Sequence, residues 1–385
     1  MNKIKLLTPI ILAVLASCSA KESAETTQAS SINFSYELDT VIVDPGDAHF
    51  IFLGNSLSKS EFFSDKNLLY NFNPTTPELE VIDLDALILK EVIKIEKEGP
   101  TGIGFNYWSL FNVSDRGDLF LGLGNSIQKL NAEQTALTHY FFVQDSLKGD
   151  VLNEGEKIHL HGRVSKDGSK YFGAYGPSGD WEPKTGLAIV NLSTMELQKV
   201  PLEINTQIKD FHIYLKENGN IMSSMEEQVF IMPQGNHILI SSSAINEIYI
   251  FDMEDDSIEH KTFHSSLSPD SKKRDYKNTT ESREEFATIQ MEKMKDVNFG
   301  PLFYDDQNKK FWRFTHQLDQ IRENLPVWNT YLTLFDEKLN QIHEQKIEEA
   351  FGQSIPYFKD GMLYSYINLE DELGFVRIKP TYEKN

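Results

Sequence analysis

The residues best suited to chemistry lie in one run, His159-Leu160-His161-Gly162-Arg163. If the run is a strand, alternation puts His159, His161 and Arg163 on one side of it. Two imidazoles at that spacing can share a metal or, with the guanidinium, bind an anion. The plainer alternative is that all three line a wall and bond only water or backbone. No third ligand accompanies the pair, so neither metal nor cofactor is assigned.

Standard catalytic signatures are missing, and no catalytic residue is assigned. Gly54-Asn55-Ser56 and Gly176-Pro177-Ser178-Gly179 lack the spacing of a nucleophile elbow. His343-Glu344 has no second histidine at the position a zinc-protease helix needs, and no phosphate-binding Gly-Lys-Ser/Thr loop occurs. Gly122-Leu123-Gly124 has no following helix to make a dinucleotide site. The acidic pairs Asp83/Asp85, Asp115/Asp118, Asp255-Asp256 and Asp305-Asp306 do not follow calcium-loop spacing and read as solvated turns. Trp108, Trp181, Trp312 and Trp328 could stack on sugar rings, but at least two are expected in the core.

Cys18, the sole cysteine, offers different chemistry. Lys3 and Lys5 precede an apolar stretch, Leu6 to Leu15, that is too short for a bilayer span of ~20 residues but suits a secretion signal. Leu15-Ala16-Ser17-Cys18 then resembles the lipobox of bacterial lipoproteins, whose cysteine thiol takes a diacylglycerol and becomes the first mature residue. An ordinary signal peptide with a chance cysteine is the alternative. Each buried methylene contributes ~0.8 kcal/mol, so palmitate-type chains would hold a domain at a membrane surface. The expected organisation is a signal peptide over 1–17, a lipidated tether rich in Ser, Ala, Thr and Glu over 18–31, and one folded domain over 32–385.

Cleavage before Cys18 removes two lysines and no acid, moving the net charge from −21 to −23. Such a surface repels nucleic acid, which is not expected as a partner. With no cysteine left, disulfides cannot stabilise the exported domain, so its core must suffice.

The elements that would position the histidines are short strands organised by one recurring turn. A polar turn leads into an aromatic or β-branched strand at Ser64-Asp65-Lys66-Asn67, Ser114-Asp115-Arg116-Gly117, Ser165-Lys166-Asp167-Gly168, Pro233-Gln234-Gly235-Asn236, Asp305-Asp306-Gln307-Asn308 and Asp360-Gly361. Asp and Ser bond backbone amides across such turns, and Gly or Asn accepts positive φ. From Asp65, Asp115, Asp167, Gln234, Asp305 and Asp360 the spacings are 50, 52, 67, 71 and 55 residues. A four-stranded propeller blade takes ~40–50. Apolar runs ending in Asp or Asn, such as Glu80–Asp85, Gly186–Asn191, Ile248–Asp252 and Tyr331–Asp336, read as the third strand of each unit.

The expected fold is therefore all-β, a six-bladed β-propeller, with seven blades or a two-part β domain as alternatives. The last unit has room for only three strands, so Phe34 to Val43 is expected to complete it and close the ring. A helical insertion is expected at about 265–297, where Phe286, Ile289 and Met294 share one helical face, packing as a lid or binding a partner.

Ser165-Lys166-Asp167-Gly168-Ser169-Lys170-Tyr171 and Ser114-Asp115-Arg116-Gly117 resemble the strand–turn–strand signature of TolB-like six-bladed propellers. Together with the lipobox, Glu98-Gly99-Pro100-Thr101-Gly102-Ile103-Gly104 and Lys359-Asp360-Gly361-Met362-Leu363-Tyr364, they resemble a Bacteroidota lipoprotein family carrying a domain of unknown function. That resemblance covers most of the mature chain and implies the fold and an outer-membrane or cell-surface location, the periplasmic face included. It implies no activity. Asp39-Thr40-Val41, Asp145-Ser146-Leu147 and Asp256-Ser257-Ile258 also resemble the O-glycosylation signal of these bacteria. The expected function is ligand binding or scaffolding in the cell envelope, with an envelope protein or glycan as partner. A propeller hydrolase or lyase acting on glycans is the alternative.

Overall fold

The computed structural model describes residues 32–104, 109–179, 181–323, 325–347 and 356–384. Six antiparallel sheets follow one another along the chain. Blade 1 comprises Ser60–Phe63, Leu68–Asn73, Glu78–Asp83 and Ile88–Lys94. Blade 2 comprises Leu110–Val113, Leu119–Leu123, Ser126–Leu130 and Leu137–Phe141. Blade 3 comprises Glu156–Val164, Lys170–Pro177, Gly186–Asn191 and Glu196–Pro201, with Lys148–Gly149 added parallel at its outer edge. Blade 4 comprises Val229–Gln234, His237–Ser242, Glu247–Asp252 and Ile258–Thr262. Blade 5 comprises Asn298–Asp305, Lys310–Arg322, Leu325–Phe335 and Gln341–Ile347.

Blade 6 is assembled from both ends of the domain. Tyr357–Lys359, Met362–Leu369 and Glu372–Lys384 form three strands, and Ile32–Ile42 pairs with the third from Ile32↔Lys384 to Ile42↔Gly374. The strand expected from Phe34 onward thus supplies the missing outer edge. Phe34 is buried there, edge-on to Trp312 at 5.4 Å.

Six apolar clusters lie between consecutive blades, which is why the sheets form a ring. Phe72 and Phe111 join blades 1 and 2, Phe120 and Tyr171 blades 2 and 3, and Phe172 and Ile240 blades 3 and 4. Leu239 and Phe335 join blades 4 and 5, and Trp312 and Ile378 blades 5 and 6. Leu69 and Ile82 meet Tyr364 and Phe375 between blades 6 and 1, where Phe62 stacks on Tyr357 at 4.3 Å. A single sheet cannot hide both faces from water, and the ring does so for all six.

All six repeated turns join the first and second strands of a blade and lie on one face of the ring, the turn face. Positive φ falls on Asn67, Gly117, Gly168, Gly235 and Gly361 as their residue types suggest. In blade 5 it falls on Lys309 rather than Asn308, because Asn308 is held by Asp305 through both its backbone and side-chain nitrogens. The opposite, loop face carries the connections from one blade's outer strand to the next blade's inner strand.

Two of those connections, after blades 3 and 4, build an extra layer. Ile213–Glu217 and Asn220–Met225 form a hairpin, and Thr279–Thr280 adds in parallel to its first strand. Helix α1 spans Glu203–Ile208, and α2 spans Arg283–Lys293, with the Ser282 side chain capping the Glu285 amide. The helix in 265–297 is therefore present, and Phe286 and Ile289 pack on Ile213 and Leu215 of the extra sheet.

Buried charge ties this layer to the ring. Glu227, just before blade 4, accepts from Lys293 of α2 at 2.6 Å, Lys272 at 2.7 Å and the Ser243 hydroxyl at 2.6 Å. Burial alone would raise its pKa, but the two ammonium groups hold it below the ordinary value.

Candidate functional site

The inner strand of blade 3 is set by an apolar face and an interruption. Ile158, Leu160 and Val164 pack into the core shared with blade 2, leaving His159, His161 and Arg163 on the other side. The ladder to the second strand slips between His159↔Ala174 and Arg163↔Phe172, where residues 160–162 oppose Gly173 alone. Such bulges re-aim side chains. A Cβ on Gly162 would stand 2.0 Å from the Phe172 carbonyl oxygen, so the bulge requires glycine there. The buried Tyr171 hydroxyl donates to the His159 carbonyl at 2.6 Å and pins the distortion.

The two histidines part company at this bulge. His159 is buried, and its Nε2–H donates to the Pro177 carbonyl at 3.1 Å. Desolvation first, then the charges of Lys184 and Lys157, hold its pKa at about 4, so the ring is neutral at physiological pH. His161 is exposed. The two rings therefore sit in different environments: the Pro177 carbonyl covers His159, whereas His161 is exposed.

Arg163 completes a clip across three inner strands. Its Nη2 donates to Glu61 of blade 1 at 2.9 and 3.0 Å. Glu61 also accepts from Asn112 Nδ2 of blade 2 at 2.9 Å, and Asn112 Oδ1 accepts the Val164 amide at 3.0 Å. The Arg163 side chain keeps 42% of its surface exposed. Glu61 and Asn112 were not singled out in the sequence, although each is a polar residue shortly before Ser64 or Ser114, as Arg163 is before Ser165.

Lys157 pairs with Gly176, whose Cβ position would lie 3.0 Å from Lys184 Cα, so both lysines flank the loop-face end of the strand. Trp181 lies beside them, 42% exposed, and its carbonyl accepts from Tyr214 of the extra sheet at 3.1 Å. Tyr214 in turn meets His212 Nδ1 at 3.1 Å. His212 is buried with Nε2 unpartnered, and desolvation brings its pKa to about 4. The extra layer is thus docked on the rim of this site. The inner strand of blade 4, Val229–Gln234, is half-buried throughout.

Other candidates resolve into structure. Asp83 accepts the Asp85 and Ala86 amides, and Asp255 the Ser257 amide, as turn caps. Asp118 pairs with Lys129 at 2.6 Å. Asp305 is not solvated: it is wholly buried, sequestered by Asn308. Of the described tryptophans Trp312 alone is buried, so the expectation of two in the core is met only once among them, since Trp328 is half-buried and Trp181 exposed; Trp108 lies outside the described residues. Cys18, the signal and the tether also lie outside them. Among the described residues no three His, Cys, Asp or Glu side chains converge on a metal-sized point, and no helix is long and apolar enough to cross a membrane.

Six blades, a seam closed by the amino-terminal strand and a polar clip between inner strands define a six-bladed β-propeller. Within that class, the chain belongs to the family described as "Domain of unknown function (DUF4221)", which matches residues 31–346. It is similar to the crystal structure of a member of that family from Bacteroides vulgatus, with a TM-score of 0.66 at 13% identity over 92% of this chain and 99% of that one. At that identity the likeness shows the fold alone. A calcium-binding protein, regucalcin, from Agrobacterium tumefaciens aligns over 89% of this chain and 98% of its own at 12% identity, with a TM-score of 0.40 that carries no argument. No curated protein matches the sequence.

Proposed function

We propose that this chain is an envelope lipoprotein, anchored through Cys18, that binds a ligand in its channel against the inner strand of blade 3. The supporting observation is the bulge between His159 and Arg163, which leaves His161 exposed beside a guanidinium fixed by Glu61. Bulges at such positions re-aim side chains.

Two measurements test the reading. Metabolic labelling with palmitate should mark the wild-type protein and not C18A; labelling of both, or of neither, would remove the anchor. A thermal-shift panel of neutral and acidic saccharides should contain at least one compound that raises Tm in the wild type but not in H161A, whose ligand-free Tm should be unchanged. H159A is expected to lose stability, since that ring is buried and bonded. A panel without any such compound would count against ligand binding at this strand.

A further inference from the structure

We infer that the outer edge of blade 2, Leu137–Phe141, is a self-association surface that pairs antiparallel with the same strand of a second copy of this chain.

A strand at the edge of a sheet leaves a row of backbone amides and carbonyls open to another strand, and natural sheets guard such rows with charge or cover them. The outer edges of the other blades are guarded. Blade 1 carries Lys90, Glu91 and Lys94, and Asp44 adds in parallel beside Ile88. Blade 3 is covered by Lys148–Gly149. Blade 4 carries Glu259 and Lys261, blade 5 Glu344 and Lys346, and blade 6 Glu37 and Asp39. Blade 2 differs. Its outer strand reads Leu137-Thr138-His139-Tyr140-Phe141, without acid, lysine, arginine or proline, and no described strand pairs with its outer side.

The ladder inside this strand fixes which groups point out. The Phe142 amide donates to the Asn125 carbonyl at 2.8 Å, and the Asn131 amide donates to the Ala136 carbonyl at 3.1 Å. Antiparallel bonding alternates, so Thr138 and Tyr140 turn their backbone groups to the third strand, and Leu137, His139 and Phe141 turn theirs outward. Among the described residues no backbone group bonds those outward amides and carbonyls. The same three residues share one side of the sheet. Leu137 packs on the core between blades 1 and 2, and the His139 ring stacks on Phe141 at 5.9 Å. Phe141 is 50% exposed.

Charge and register select the occupant. A protein of net charge −21 repels its own copies, so two of them can meet strand to strand only where acid is absent. A two-fold axis at His139 sets that residue against its counterpart and Leu137 against Phe141 of the second copy. All three outward residues then fall in hydrogen-bonded pairs, each giving its amide and its carbonyl, and the Phe141 ring is covered. Thr138 meets Tyr140 on the opposite face. Such pairing is isologous and closes at two copies. A ladder of 5 residues is small beside a standard interface of about 1,600 Å², so the dimer is expected to be weak and concentration-dependent.

Sedimentation velocity on the full chain carrying C18A, which takes no lipid, tests the inference. A monomer–dimer equilibrium is expected, strengthened by added salt because salt screens the repulsion between acidic copies. His139 is exposed, so H139E and H139K should each weaken dimerisation severalfold at unchanged Tm by setting like charges directly opposite, and mixing the two should restore it. H139C in the C18A chain, which has no other cysteine, should form a reductant-sensitive dimer with diamide, since the Cα atoms of a hydrogen-bonded pair lie about 5.5 Å apart, within disulfide reach. E259C, exposed on the outer strand of blade 4, should not. A chain monomeric at millimolar concentration, dimerisation indifferent to H139E, or E259C cross-linking as readily as H139C would overturn the inference. A monomer that binds an extended peptide at this edge would also overturn it, assigning the edge to a foreign strand.

Discussion

On the turn face, every blade passes from its first strand to its second through a short polar turn, and in blades 2, 3 and 5 its Ser or Asp side chains bond the backbone they bend. Ser169 and Lys170, for example, bond back to Asp167 and Ser165. On the loop face the connections follow no common length. After blades 3 and 4 they grow into a separate sheet and helix, and in blade 5 residues 317–322 and 325–329 extend past both neighbouring strands as a two-stranded tongue. The turn face repeats because each turn does the same mechanical task. The loop face varies because ring packing does not depend on it.

The sharpest way to break this contrast is to cut each part. Deleting residues 32–42 exposes a long sheet edge and removes Phe34 from the core, so loss of the cooperative unfolding transition and of the monomer is expected by calorimetry and size exclusion. Replacing 317–329 with a short Asn-Gly turn should shift Tm by no more than a few degrees. Equal sensitivity to the two deletions would dissolve the distinction.

A smaller but large effect concerns the bond between the faces' two layers. E227A leaves Lys272 and Lys293 buried without their anion and should cost about 3–5 kcal/mol in urea unfolding. Additional K293M should recover part of that loss. If E227A unfolds like the wild type, the extra layer is not held by this pair.

Acid should act through buried histidine. His159 and His212 have pKa values lowered from 6.5 to about 4, so below about pH 6.5 protons bind the unfolded chain in preference to the folded one. Stability is therefore expected to fall as pH drops from about 6.5 to 4 and to depend on these groups little above 7. H212Q should flatten that slope. His264, exposed and raised by Asp270, contributes in the opposite direction. A stability profile flat between pH 6.5 and 4 would contradict the neutral, buried assignment.

The smallest effect isolates one turn. Gly235 has φ +59 with nothing near its Cβ position, so G235A should cost only the conformational term, roughly 1 kcal/mol. Proline at that position is incompatible with its φ and should cost more.

The turn face was readable in the sequence, and so was the ring: residue types demanding positive φ recurred at near-regular spacing, and the shortage of strands at the carboxyl end called for Ile32–Ile42. The excess spacings of 67 and 71 residues pointed to the right connections. The hairpin at Asn218-Gly219, a strong two-residue turn signal, went unassigned because it fell outside the blade period. In the candidate site, alternation identified the correct side of the strand. Exposure was not readable, because a bulge and a covering carbonyl decide it and neither has a compositional mark. Glu61 and Asn112 lie 102 and 51 residues from the groups they serve, a proximity that only the closed ring creates.

Hydrogen exchange of the intact protein, followed by peptide mass spectrometry with and without the saccharide that raises Tm most in the thermal-shift panel, tests the central claim most directly. Added protection is expected in the peptides spanning 156–164, with the outer strands of every blade unchanged. Protection confined to the outer strands of any blade would contradict a binding site on the inner strand of blade 3.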